Sequence, residues 1–124
     1  MEDFDGPLDL ILHLLSKNKI EIRDIQITLL LDQYLDWMAR REQLNLEVAS
    51  EFVTMAAHLV YIKTRMLLSI DDEEAMSEME QLMAALEERK YQDSYLRVKA
   101  AVDLGNAGGG LRRGGRFGVF GHRL

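Results

Sequence analysis

The sequence predicts an all-α protein: a small bundle of about four helices, with a short extended segment after the first helix and a Gly/Arg-rich tail. Apolar residues recur every three or four positions in four separate segments, which is the spacing of one face of an α-helix. Only one proline occurs in 124 residues, and eight of the nine glycines fall at or after Gly105. We expect residues 105–124 to be disordered, because so few apolar side chains cannot offset the entropy of ordering.

Composition and charge exclude several classes of protein. The chain has no cysteine, which excludes a disulfide framework, a thiolate metal site and a cysteine nucleophile. All 21 acidic residues precede Gly105, where they outnumber the 11 Lys and Arg, and the remainder carries four Arg and no acid. Because an acidic body repels phosphate, we expect no direct contact with DNA. No run reaches the roughly 20 apolar residues of a membrane span, so we expect no membrane partner.

The first helix is predicted to begin at Asp5-Gly6-Pro7, because Asp or Gly can cap a helix and Pro fits its first position. Apolar residues at helical spacing follow at Leu8, Ile11, Leu12 and Leu15. The helix is predicted to end within residues 16–19. Residues 19–23 then alternate polar and β-branched apolar side chains, which predicts the short extended segment. The segment is too short to form a sheet of its own.

The second and third helices carry most of the apolar pattern. Asp24 or Thr28 is predicted to cap the second helix, whose apolar face is Ile27, Leu30, Leu31, Tyr34, Leu35 and Met38. Asn45 is predicted to cap the third helix, which runs to about Ser69. This helix has two adjacent apolar stripes, whereas a surface helix needs one stripe of about 100°. One stripe is Val48, Phe52, Met55, Leu59, Ile62 and Met66; the other is Ala49, Val53, Ala56, Val60 and Leu67, interrupted by Lys63.

The fourth helix is predicted to follow the acidic run at residues 71–74, which suits the positive end of a helix dipole. Met76, Met79, Leu82, Met83 and Leu86 share one side of this helix. The apolar pattern then changes phase to Tyr91, Tyr95, Val98 and Val102, which indicates a second contact or a bend. We therefore divide the chain into a helical domain at 1–70, an extending helix at 71–104 and the tail at 105–124.

No group of residues indicates catalysis. His13, His58 and His122 have no second ligand at a spacing known for zinc sites, and no serine lies in a glycine elbow that would expose a nucleophile. The polar face of the third helix, formed by Glu47, Glu51, Thr54, His58 and Arg65, is interpreted as a solvated strip. The carboxylates at 71–74 are interpreted as a solvated turn, with Mg²⁺ binding as the minor alternative. We predict no catalytic residue, no metal site and no cofactor.

The tail leaves three interpretations open. Its sequence from Arg112 to Gly118 resembles one copy of an RGG-type nucleic-acid segment, in which Arg contacts phosphate and Phe stacks on a base. A flexible end without function is the second interpretation. The third is a sequence foreign to the parent fold, such as out-of-frame reading of a GC-rich gene would produce.

The second stripe of the third helix also has two interpretations. The other helices cover it, or it forms a docking surface, because a continuous exposed apolar strip on a monomer usually marks a partner site. Ala49 and Ala56 favour the docking surface, since small residues let another helix approach closely.

Several segments resemble, in order and spacing, the ScpA family, the bacterial kleisin subunits of the SMC condensin complex. They are the opening Phe4-Asp5-Gly6-Pro7-Leu8-Asp9-Leu10, residues 19–25, Gln33-Tyr34-Leu35, Ala49-Ser50-Glu51-Phe52 and residues 63–68. The resemblance covers about residues 4–90. From residue 91 onward we expect a departure from the family's ScpB-binding segment, and we expect the family's C-terminal winged-helix domain to be missing.

The resemblance implies a non-enzymatic role in chromosome condensation and partition during cell division. In this family the N-terminal helical domain packs on the coiled-coil neck of one SMC subunit, a central segment binds a ScpB dimer, and the winged helix binds the other SMC head. The kleisin thereby closes a ring that holds DNA. For this chain it implies a kleisin N-terminal domain at 1–70, SMC and ScpB as partners, indirect contact with DNA, and a cytoplasmic location at the nucleoid.

The resemblance also implies that the third helix binds the SMC neck. We assign the neck contact to Ala49, Val53, Ala56, Val60, Lys63 and Leu67. The domain core is assigned to Leu8, Ile11, Leu12, Leu15, Phe52, Met55, Leu59 and Ile62. The reverse assignment of the two stripes stays open. The alternative function is a stand-alone helical adaptor or regulator that homodimerises through the same stripe.

Overall fold

The computed structural model describes residues 4–68 and 73–109, with side chains as far as Gly105. The described residues form four α-helices, α1 (Pro7–Lys17), α2 (Ile27–Gln43), α3 (Ser50–Leu68) and α4 (Glu73–Gly109), and one 3₁₀ turn at Ile22–Asp24. They contain no β-strand. The predicted all-α class is confirmed. The predicted disorder of the tail from residue 110 onward lies outside the described residues.

The starts of the first two helices differ in how well the sequence predicts them. Helix α1 begins after Gly6 with Pro7 at its first position, as predicted. Helix α2 begins after Gln26 and has no side-chain cap, so the predicted caps Asp24 and Thr28 are wrong. Asp24 belongs instead to the 3₁₀ turn, and Thr28 already lies within the helix.

The connection between α1 and α2 is less extended than its alternating pattern predicts. Lys19 has a φ of 58° and ends α1 in the left-handed conformation. Extended backbone remains at Glu21 (φ −81°, ψ 154°), and the 3₁₀ turn Ile22–Asp24 follows directly. The helix end and the turn together use most of residues 19–23, which leaves a shorter extended segment than predicted. Ile22 is nevertheless buried in the core.

Asn45 ends α2 and does not cap the third helix. Its φ of 59° places it in the left-handed region. The backbone N–H of Asn45 donates to the carbonyl of Glu42 at 3.0 Å, and the N–H of Leu46 donates to that of Arg41 at 2.9 Å. These two bonds form a Schellman motif, which satisfies carbonyls at the end of a helix. The prediction was wrong because Asn suits both an N-cap and this C-terminal position.

A single hydrophobic core lies within the compact unit Met1–Lys90. Its buried residues come from α1, α2, α3 and the first part of α4, and they include Leu10, Ile11, Leu14, Ile27, Leu30, Leu31, Tyr34, Leu59, Ile62, Met79, Leu82 and Leu86. The compact unit ends at Lys90, beyond the domain boundary predicted at residue 70. The reason is that α4 supplies apolar side chains that complete the core, and a domain this small has few others.

The second unit, Tyr91–Leu124, is helical over its described residues 91–109. The large apolar side chains among these described residues are each more than half exposed: Tyr91, Tyr95, Leu96, Val98, Val102 and Leu104. Helix α4 continues to Gly109, past the tail boundary predicted at Gly105. Glycine in a helix costs about 1 kcal/mol relative to alanine, but it does not prevent propagation from an existing helix.

Candidate functional site

The inner face of α3 forms one wall of the core. Phe52, Leu59 and Ile62 are buried, and Met55 packs against the core while remaining partly exposed. The hydroxyl of Tyr34 on α2 donates to the carbonyl of Phe52 at 2.8 Å. Burial raises the pKa of Tyr34, so its hydroxyl stays protonated and keeps this bond. On α1, Ile11 and Leu15 are buried, and Leu8 and Leu12 pack against the core. The residues assigned to the core thus lie in it or against it.

The outer face of α3 carries an uncovered apolar line. Val53 is 51% exposed, Val60 43% and Leu67 73%. Ala57 and Thr64 are also exposed and lie between them. We call Val53, Ala57, Val60, Thr64 and Leu67 the outer strip; their 4-3-4-3 spacing is that of a heptad repeat. At 1.5 Å per residue the strip is about 21 Å long.

Three of the residues assigned to the neck contact lie elsewhere. Ala56 is only 7% exposed and belongs to the core, because it lies four residues after Phe52 and three before Leu59. It is therefore not available to a partner, and Ala57 takes its place in the outer strip. Ala49 is exposed but precedes the first residue of α3, and Lys63 is half-buried beside the strip.

Two residues of the polar face of α3, His58 and Arg65, pair with α4, although the sequence predicts a solvated strip. His58 Nε2 lies 3.4 Å from Glu78 Oε1, and an Arg65 guanidinium nitrogen lies 3.3 Å from Glu74 Oε2. The Tyr61 hydroxyl also donates to Glu74, and this hydrogen bond raises the pKa of Tyr61. His58 and Arg65 are therefore not a free polar surface, whereas Glu51 and Thr54 of the same face stay exposed.

Helix α4 is also joined to α1 by charges distant in sequence. Arg89 Nε donates to Asp9 Oδ1 at 3.0 Å, and a terminal nitrogen of Arg89 lies 3.7 Å from Asp5 Oδ2. The side chains of Arg89 and Asp9 are 31% and 17% exposed, so solvent screens this pair less than an ordinary surface pair. Helix α4 thus forms ion pairs with α3 and with the start of α1, whereas the outer strip stays exposed among the described residues.

The described residues show neither a metal cluster nor a membrane helix. Within residues 4–68 and 73–109, no group of three or more His, Asp or Glu side chains is placed to hold a metal ion. Over the same ranges, no helix is both long enough and apolar enough to cross a bilayer.

Known sequences decide the family. The family model for Segregation and condensation protein ScpA matches residues 14–99. The chain belongs to the ScpA family. Among curated relatives, each named Segregation and condensation protein A, the one from Caldanaerobacter subterraneus is 52% identical over 68 residues, which are 55% of this chain and 28% of the relative. The Myxococcus xanthus protein is 39% identical over 88 residues, 71% of this chain and 30% of the relative.

The relationship to the ScpA family extends past residue 90. The Streptococcus thermophilus relative is 41% identical over 107 residues, which are 84% of this chain and 43% of that protein. The departure expected from residue 91 onward is therefore wrong for residues 91–99, because the match to the family model continues to residue 99. This match includes exposed apolar residues at the start of the second unit. The chain spans less than half the length of these relatives.

Proposed function

We propose that this chain is a non-enzymatic kleisin that acts in chromosome segregation and condensation by binding the coiled-coil neck of an SMC protein. The observation that carries the proposal is the outer strip of α3, whose apolar side chains stay exposed while Phe52, Leu59 and Ile62 on the inner face of the same helix are buried. A heptad-spaced line keeps in register with a coiled-coil helix over several turns. Ala57 and Thr64 leave room for that helix to approach closely.

The size of the outer strip sets how much binding it can support. Each large apolar side chain contributes about 1.5–3 kcal/mol when it goes from full exposure to full burial. Val53, Val60 and Leu67 start partly buried, so together they contribute roughly 2.5–5 kcal/mol on the same scale. Association costs an estimated 4–15 kcal/mol in lost freedom. A stable complex therefore needs further contacts beyond the strip, and Tyr61 and Leu68 lie exposed beside it.

The proposal is tested by co-purification with an SMC head-plus-neck fragment. We expect the wild-type chain to form a complex and Val60→Glu to prevent it, because a charge would replace an apolar side chain at the centre of the strip. Leu29→Glu on α2 is the matched control, since Leu29 is exposed to a similar degree outside the strip. Absence of a wild-type complex together with a concentration-dependent homodimer would contradict the proposal and support the adaptor alternative.

We further propose that the second unit contacts ScpB, that DNA is held only through the assembled complex, and that the chain works in the cytoplasm at the nucleoid. The exposed side chains Tyr91, Tyr95, Val98 and Val102 support the ScpB contact, because they follow a 4-3-4 spacing. In a pull-down with a ScpB dimer, we expect Tyr95→Ala to weaken binding while Val60→Glu binds as wild type. Equal binding by wild type and Tyr95→Ala would rule out this contact.

A further inference from the structure

Asp5-Gly6 is the one Asp-Gly pair in the sequence, and it lies directly before α1. The Asp5 side chain is 91% exposed, and its contact with Arg89 at 3.7 Å is an exposed pair of little strength. Gly6 is the N-cap of α1, with φ −169° and ψ 176°, so its backbone N–H lies outside the helical hydrogen-bond ladder. The Asp5 carboxyl and the nitrogen that follows it therefore lie in open, non-helical backbone.

Asp9, one helical turn later, has the opposite surroundings. Its side chain is 17% exposed and accepts a hydrogen bond from Arg89 Nε at 3.0 Å. The nitrogen that follows Asp9 belongs to Leu10, and its N–H donates to the carbonyl of Gly6 at 3.3 Å. A reaction between the Asp9 carboxyl and this nitrogen would have to break both hydrogen bonds first. Such a reaction is therefore obstructed at Asp9 and open at Asp5.

We propose that Asp5-Gly6 is a site of spontaneous aspartate isomerisation. The Gly6 nitrogen attacks Cγ of the protonated Asp5 carboxyl and forms an N–Cγ bond, while the carboxyl hydroxyl leaves with the amide proton as water. The product is a five-membered succinimide ring, which glycine favours because it has no Cβ to obstruct the closure. Water then adds to one of the two ring carbonyls. Cleavage of the N–Cγ bond restores aspartate, whereas cleavage between the Gly6 nitrogen and the main-chain carbonyl carbon of Asp5 leaves isoaspartate.

Isomerisation changes the start of α1, because the main chain of isoaspartate runs through Cγ and is one atom longer. Phe4 precedes this link and packs against the core. Its ring centroid lies 6.0 Å from that of Trp37 and 5.2 Å from that of His13. The free carboxylate moves onto Cα and loses one methylene of reach toward Arg89. The modification therefore loosens Phe4 from Trp37 and weakens the contact with Arg89.

Ageing of the full chain tests the proposal. The protein is held at neutral pH and physiological temperature for several weeks, and isoaspartate is located by peptide mapping with electron-transfer fragmentation. We expect isoaspartate at Asp5 to exceed that at Asp9 at least about threefold, since glycine reaches unusual backbone conformations more easily than leucine. Methyl transfer from S-adenosylmethionine by an isoaspartate methyltransferase measures the total. Isoaspartate at Asp5 no higher than at Asp9 would overturn the proposal.

Two variants separate this chemistry from the fold. A Cβ added to Gly6 meets open space at a φ that any residue adopts. We therefore expect Gly6→Ala to keep the helix content of wild type and to lower isoaspartate at Asp5 at least about threefold. Undiminished isoaspartate at Asp5 in this variant would contradict the proposal. Asp5→Glu keeps the charge beside Arg89 but could close only a six-membered ring, so we expect no isomerised residue at position 5.

Trp37 reports the structural consequence, because it is the one tryptophan of the chain. When Phe4 leaves its ring, more water reaches the indole, so we expect a red shift of Trp37 fluorescence in aged wild type. We expect no shift in aged Asp5→Glu. Isoaspartate at Asp5 without a shift would overturn the proposed loosening of Phe4.

Discussion

The two parts of α4 carry similar apolar patterns and have opposite environments. Before Lys90, Ala75, Met79, Leu82 and Leu86 are buried against the other helices. After Lys90, Tyr91, Tyr95, Val98 and Val102 are each more than half exposed. Helical apolar spacing therefore predicts that a face will be covered, but it does not say whether the cover comes from the same chain or from a partner.

The two apolar faces of α3 repeat this difference within one helix. Phe52, Leu59 and Ile62 face the core, whereas Val53 and Val60 remain exposed. Their residue types are similar, so hydrophobicity alone does not separate them. The distinction comes from which neighbours exist within the chain, and an uncovered apolar face is the one to test for a partner.

The largest expected effect is a difference in protein stability between a variant in the first part of α4 and a variant in the second part. Leu86 is fully buried and Leu96 is 57% exposed. Leu86→Ala leaves a cavity in the core and is expected to lower the free energy of unfolding by about 2–5 kcal/mol. Leu96→Ala is expected to change it by less than about 0.5 kcal/mol. Urea unfolding followed by circular dichroism measures both, and similar losses in the two variants would mean that the second unit packs as tightly as the first.

A smaller effect separates the ion pairs of the two parts. Arg89→Ala removes the hydrogen bond to Asp9 that joins α4 to α1, and a charge-assisted bond at a partly buried site contributes about 1–2 kcal/mol. Lys99 pairs with Asp103 on the exposed second part, where an i,i+4 pair contributes about 0.3–0.5 kcal/mol. We expect Arg89→Ala to lower the free energy of unfolding by more than Lys99→Ala does. Equal losses would contradict the role of Arg89 in holding the first part of α4.

Periodicity predicted much of this architecture, and its errors have physical causes. The two apolar faces of α3 follow from its helical period, but the sequence analysis assigned Ala56 rather than Ala57 to the neck contact. Both Ala56 and Ala57 lie three or four residues from Val53 and from Val60, so spacing alone allows either alanine on their stripe. Only the packing of the inner face shows that Ala56 is buried and Ala57 exposed. Asn45 was misplaced for a similar reason, because one residue type serves at both ends of helices.

Contacts between distant segments were not predictable from local pattern. The polar face of α3 has the composition of a solvated strip, and its partners Glu74 and Glu78 come from the next helix. Phe4, Trp37 and Phe52 are far apart in sequence and share no spacing that indicates a common cluster, yet they line one cavity. Only the packing of the helices brings these rings together.

The central claim is that the outer strip of α3 binds the SMC neck, and the dissociation constant of Val60→Glu for an SMC head-plus-neck fragment tests it most directly. On the exposed strip this change is expected to alter the free energy of unfolding by less than about 0.5 kcal/mol. The account predicts a dissociation constant at least about 100-fold above wild type, or about 2.7 kcal/mol, with Leu29→Glu close to wild type. Equal affinity in wild type and Val60→Glu would contradict it.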